Sequence, residues 1–137
     1  MNFKKVKFNG QLYGILVKKE FSNPGLTFFT PNEFGLQMGF LDYDKGKKLR
    51  SHIHIKNPRT IEKTQELIHV LSGKVKALLY DEHENYLKSL IVEEGDTFFH
   101  AKGGHGYEIL EDGTRVLEIK NGPFISVEKD KKIINTK

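Results

Sequence analysis

The chain never sustains a helical stripe. Along its 137 residues, no window keeps apolar side chains at i, i+3, i+4 and i+7 for long before a glycine or proline interrupts. Short apolar or alternating runs recur instead, each bounded by turn residues, which is the period-two signature of strands. Val, Ile and Thr together number 25 and the aromatics 15, against two alanines (Ala77, Ala101). β-branched and aromatic side chains suit a pleated, half-buried surface, so this balance reinforces the pattern. Strands are expected at 11–17, 36–43, 48–55, 66–71, 74–81, 86–92, 97–100, 106–111 and 114–120. Asp112-Gly113 marks a hairpin turn, and Asp81–Asn85 forms a polar tip between two runs. So many short strands at short spacing predict an all-β fold, an antiparallel β-barrel or jelly roll with little helix. Residues 1–137 read as one domain, with a barrel over 36–123, an N-terminal strand segment 1–35 and a tail 124–137 that frays over 128–137.

Charge narrows the partners. The formal net charge is +4, yet only three of 22 basic residues are arginine (Arg50, Arg59, Arg115), and the lysines are dispersed. Nucleic-acid readers lean on arginine and on clustered basic faces, so nucleic acid is not an expected partner. No apolar run approaches the ~20 residues of a membrane span, and no secretory leader is visible. Zero cysteines remove disulfides, thiolate ligands and cysteine nucleophiles together, and a cytoplasmic address fits best.

The histidines carry the chemistry. His52 and His54 form an H-x-H pair in an expected strand, where alternation puts both rings on one face, able to converge on one ion. Two surface histidines on a polar strand face would read the same way. Gly46-KKLRS-His52-Ile-His54 is followed by Glu66-LIHVLS-Gly73, with the 11 residues Ile55 to Gln65 between His54 and Glu66. A second cluster runs Gly95-DTFFH-Ala101-Lys102-Gly103-Gly104-His105. In this order the two clusters resemble the paired motifs of the cupin superfamily, G-x5-H-x-H-x3,4-E-x6-G and G-x5-P-x-G-x2-H-x3-N. The chain departs from that pattern by its long insertion after Ile55, by lacking the proline, and by reaching His105 one residue early. Thr64-Gln65-Glu66, Gly73-Lys74-Val75 and Gly103-Gly104-His105-Gly106 also look like the small stand-alone cupins, for which no reaction is assigned.

The resemblance implies a metal held by His52, His54, Glu66 and His105. Three imidazoles and a carboxylate leave two octahedral positions open and suit divalent Fe, Mn, Ni, Co or Zn. Period-two phase puts Arg50 beside that site, as a fork for a substrate anion or as an exposed rim arginine. Tyr107 shares the face of His105, as a proton relay or as a core tyrosine. Gln37 and Gly39 are expected to line the same cavity. His69 should turn away from it, His83 should sit at a solvated tip, and His100 has no clear direction. In 115–120, apolar burial favours Leu117 and Ile119 facing inward over Val116, Glu118 and Lys120. The 55–65 insertion reads as a lid, a surface bulge or a dimer contact.

The expected function is a metal-binding cupin acting on a small polar or anionic metabolite, such as a sugar nucleotide, by isomerase or epimerase chemistry. Alternatives are an iron-dependent dioxygenase, a metal-free histidine acid/base isomerase and a non-catalytic binding module. A homodimer is expected, with Phe8–Val17 as a strand to add to a partner.

Overall fold

The computed structural model describes residues 2–135. The first four strands are β1 (Phe3–Phe8), β2 (Gln11–Val17), β3 (Gly25–Phe28) and β4 (Gly39–Asp42). After a long irregular stretch come β5 (Glu66–Ser72), β6 (Lys74–Tyr80), β7 (Tyr86–Glu93), β8 (Thr97–His100), β9 (Gly104–Ile109) and β10 (Arg115–Lys120). A single helical turn, α1 (Val127–Asp130), closes the order. Every pairing is antiparallel. The fold is all-β, as the period-two pattern requires.

A five-stranded sheet in the order β1-β2-β8-β5-β10 faces a three-stranded sheet, β7-β6-β9. Among the described residues no ladder joins the two, so the arrangement is a small sandwich. Alternation decides what fills it. Leu16, Ile68, Val70 and Phe98 point from the larger sheet toward Val75, Ala77, Leu79, Leu90 and Val92 of the smaller one. The opposite phase of the larger sheet, Ile15, Val17 and Phe99, is covered by the two-stranded β3-β4 ribbon and its loops through Phe29 and Met38. Strands buried on both faces read as continuous apolar runs, and Ile15, Leu16, Val17 and Thr97 to His100 are such runs.

One carboxylate ties the layers at the β7–β8 turn. Asp96, 1% exposed, accepts from the Lys19 and Glu93 backbone N–H groups at 2.8 and 2.9 Å and from the Lys18 ammonium at 2.6 Å. At the β5–β6 corner Gly73 has φ +85°, and a Cβ there would collide with the Thr114 backbone. Only glycine fits that corner.

Several expectations are corrected. Residues 48–55 form no strand; the whole stretch from 43 to 64 is exposed and irregular. Its alternating sequence nominates a face, but a strand also needs a neighbour for its backbone groups, and none pairs here. The expected 36–43 strand shortens to Gly39–Asp42, while Phe3–Phe8 and Gly25–Phe28 pair unexpectedly. The segment Phe8–Val17 is not spare, since β2 pairs with both β1 and β8 of its own chain. In β10 the phase is reversed: Val116 packs on the core, whereas Leu117 and Ile119 are 48% and 44% exposed. The tail does not simply fray. Asp130 accepts from Thr64 Oγ1 at 3.2 Å, and Ile134 packs on Gly104. No helix among the described residues is long and apolar enough to cross a membrane.

Candidate functional site

The sheets part at one end of the sandwich and leave a cup. Its wall is built by register. Glu66 lies across from His100 on β8 and from Lys120 on β10. On the smaller sheet Leu79 pairs with His105 and Ala77 with Tyr107, which carries the side chains of β9 inward. The approach to His105 depends on Gly103, whose φ is +76° and whose Cβ would strike the Tyr80 carbonyl oxygen and the Tyr13 ring. A cavity of ≈440 Å³ opens over Glu66, His100, Gly104 and His105, and residues Asp130–Ile134 of the tail border its mouth.

Glu66 is the hub. It is 5% exposed; His105 Nε2 lies 3.1 Å from Oε1 and the Tyr107 hydroxyl donates to Oε2 at 3.4 Å. Burial alone would raise its carboxyl pKa. The hydrogen bonds of His105 and Glu118, with charge at His105, outweigh burial and hold it well below the ordinary carboxylate range. Glu118 moves the other way: its hydrogen bond to Glu66, aided by burial, raises it. The two shifts run in opposite directions, as expected for neighbouring carboxyl groups that disfavour a second negative charge. Tyr107 is pushed up by burial and by the Glu66 charge, so it remains a phenol and a donor.

His100 is the residue that sequence left undirected. It shares the inward phase of Phe98 and is 4% exposed, with its ring centroid 4.1 Å from that of His105. Burial, then the neighbouring His105, lowers its pKa to about 3, so the imidazole is neutral. The backbone groups of Lys102 and Gly104 lean toward it, but neither ring nitrogen has a hydrogen-bond partner of good geometry. The Phe98-x-His100 spacing was the available signal, because a buried aromatic fixes the phase of the residue two positions on.

Of the expected ligands, the structure brings Glu66 and His105 together. His52 and His54 lie in the exposed 43–64 stretch, with ring centroids 5.0 Å apart and His52 Nδ1 2.9 Å from the Arg50 carbonyl oxygen. Arg50 is exposed in the same stretch and has no strand to aim it inward. Among the described residues no three His, Asp or Glu side chains are grouped as an ion requires. The four-ligand set is therefore not assembled in this arrangement, and the cup's chemistry is that of Glu66, His105 and Tyr107. Gln37 instead clamps the 31–34 loop, donating to the Pro31 and Phe34 carbonyls at 2.8 and 2.9 Å. Gly39 packs on the Phe28 ring. His69 is half-buried with Nδ1 2.9 Å from Thr97 Oγ1, and His83 sits at the exposed β6–β7 tip. Residues 60–63 of the insertion border a separate cavity of ≈650 Å³ with Leu12, Phe34 and Lys102. No family model, no curated protein and no solved structure matches this chain.

Proposed function

We propose that the protein is a cupin-like enzyme that moves a proton on a small anionic metabolite, a sugar nucleotide or a related keto compound. The observation that carries this reading is the Glu66–His105 pair at 3.1 Å with Tyr107 on the second carboxylate oxygen. A carboxylate that accepts from one ring nitrogen fixes the tautomer and leaves the other nitrogen as a base. His105 takes a proton from the carbon beside a substrate carbonyl, and the electron pair moves into an enediolate. The proton returns from the same face to the first carbon, or to its neighbour as the carbonyl migrates and the hydroxyl proton passes between the two oxygens. Tyr107 donates its phenol proton to Glu66 Oε2 in a hydrogen bond and so holds that carboxylate toward His105. Lys131 and Lys132 at the mouth suit the anionic end of the substrate.

The test is deuterium incorporation. Nucleoside-diphosphate ketohexoses and 2-keto acids incubated with the protein in D₂O are followed by NMR for label beside the carbonyl. Label from at least one compound supports the reading; no label from any sinks it. A second, metal-dependent reading is favoured by one observation, the side-by-side rings of exposed His52 and His54, which would complete a divalent transition-metal site only if carried to the cup. Proton exchange that survives exhaustive chelation decides against that version.

A further inference from the structure

His100 is a buried imidazole with no hydrogen-bond partner of good geometry at either nitrogen, only the Lys102 and Gly104 backbone leaning toward it, an arrangement that native structures rarely leave unexplained. It lies on the floor of the cup rather than in the packed core. It borders the ≈440 Å³ cavity and also a second one of ≈480 Å³ that shares Gly103 and Gly104 with the first. What roofs it is the ring of His105, itself only partly buried, with the tail segment beyond. His100 lines both cavities, so a ligand in either one lies against its ring while His105 stays on Glu66.

We infer that His100 is a ligand-reading residue, and that the group it reads is an alcohol hydroxyl of a carbohydrate-type ligand. The inference rests on the proposed cup and deepens its substrate class. A neutral imidazole offers one N–H and one lone pair. A carboxylate or phosphate only accepts, and an ammonium only donates, so each would leave one ring nitrogen unpaired. A hydroxyl donates and accepts, and neighbouring hydroxyls on a sugar ring can serve both nitrogens. The polyol end of the ligand therefore enters deepest, and the anionic end stays toward Lys131 and Lys132 at the mouth.

The test uses UDP-glucose, which has no carbonyl to react, with UDP alone as the comparison. Binding is measured by calorimetry, and the ring resonances of His100 are followed in histidine-labelled protein. UDP-glucose should shift those resonances, and His100→Phe should weaken its binding at least tenfold while leaving UDP unaffected. His100→Phe should also melt several degrees above wild type, because it removes two unpaired buried nitrogens, whereas a structural histidine would melt lower when replaced. His100→Gln, which keeps a donor and an acceptor, should recover part of the affinity and covers the case of a phenylalanine variant that does not fold. Equal affinity of wild type, His100→Phe and His100→Gln for UDP-glucose overturns the role of His100 and leaves the cup reading intact. Binding of UDP without any gain from glucose overturns the hydroxyl assignment alone. Failure of both probes to bind wild type overturns the inference and the anionic-metabolite reading together.

Discussion

Residues 43–64 and the β5–β8–β9 wall both present histidines on alternating sequence, yet only the wall buries them. In the wall, Glu66, His100 and His105 hang from strands whose backbone groups are paired on both sides or anchored by glycine turns. In the 43–64 stretch, Ile53 and Ile55 are 91% and 88% exposed, and no ladder holds His52 or His54 in place. A side-chain pattern is a necessary condition for a strand; a partner edge is the other half. Where the partner exists, a carboxylate and an imidazole are held within hydrogen-bond reach. Where it does not, the same residue types are free to sample solvent.

The largest expected effect separates the two regions by activity. Glu66→Gln should lower proton exchange by about 10²–10⁴-fold, the range for losing a positioned acid/base group. The His52→Ala/His54→Ala pair should change it by less than about twofold, as expected of groups outside the reacting constellation. If the double variant instead falls as far as Glu66→Gln, the 43–64 stretch acts at the cup and the contrast breaks. Bound divalent metal, measured in both proteins, shows whether that fall follows loss of an ion.

Next comes local stability. Amides in 43–64 should exchange close to unprotected rates, while those of Ile68, Val70 and Phe98 should be slowed by about 10³-fold or more, toward the global limit. Brief trypsin treatment should cut first among Lys45, Lys47, Lys48, Arg50, Lys56 and Arg59, all on exposed backbone outside any strand. Protection across 50–56 would show a partner strand forming in solution.

The same contrast explains what the sequence could reveal. Strands at 11–17 and 97–100 are legible to the residue, because continuous apolar runs bounded by turns have few other solutions. Phe3–Phe8 is not, since three lysines among six residues disguise an edge strand whose one buried side chain is Val6. Glu66 and His105 are legible through motif spacing. Their meeting needs the register of β5 with β8 and of β6 with β9, which no local pattern encodes. The β10 phase misleads because Leu117 and Ile119 are more apolar than their neighbours, while Glu118 faces inward to meet Glu66.

A smaller effect is pH-dependent. The folded pKa of His100 lies near 3 against an ordinary 6.5, so the unfolded chain binds the extra proton first. Stability from this group is fully present above pH 6.5 and is lost as pH falls toward about 3, at no more than about 1.4 kcal/mol per pH unit. Glu118, raised in the fold, contributes stability below its ordinary range that is lost as pH rises, so it partly opposes the trend. Glu66, lowered to about 2, adds to the acid-side loss, and subtracting the His100→Phe denaturation profile from that of wild type reads His100 together with its coupling to Glu66. Parallel profiles between pH 4 and 6.5 would mean that the ring is not buried neutral.

The smallest effect tests the reversed phase of β10, and through it the wall that holds Glu118. Val116 packs on the core between the sheets, so Val116→Ala should cost about 1–2 kcal/mol through lost burial and a small cavity. Leu117→Thr and Ile119→Thr alter half-exposed side chains on the outer face and should stay within about 0.5 kcal/mol. Threonine keeps strand propensity, so backbone preference contributes little to the difference. Urea denaturation with unchanged m-values reads all three on one scale. If Leu117→Thr costs more than Val116→Ala, the strand is flipped: Glu118 then turns away from Glu66, and the buried carboxylate loses that neighbour.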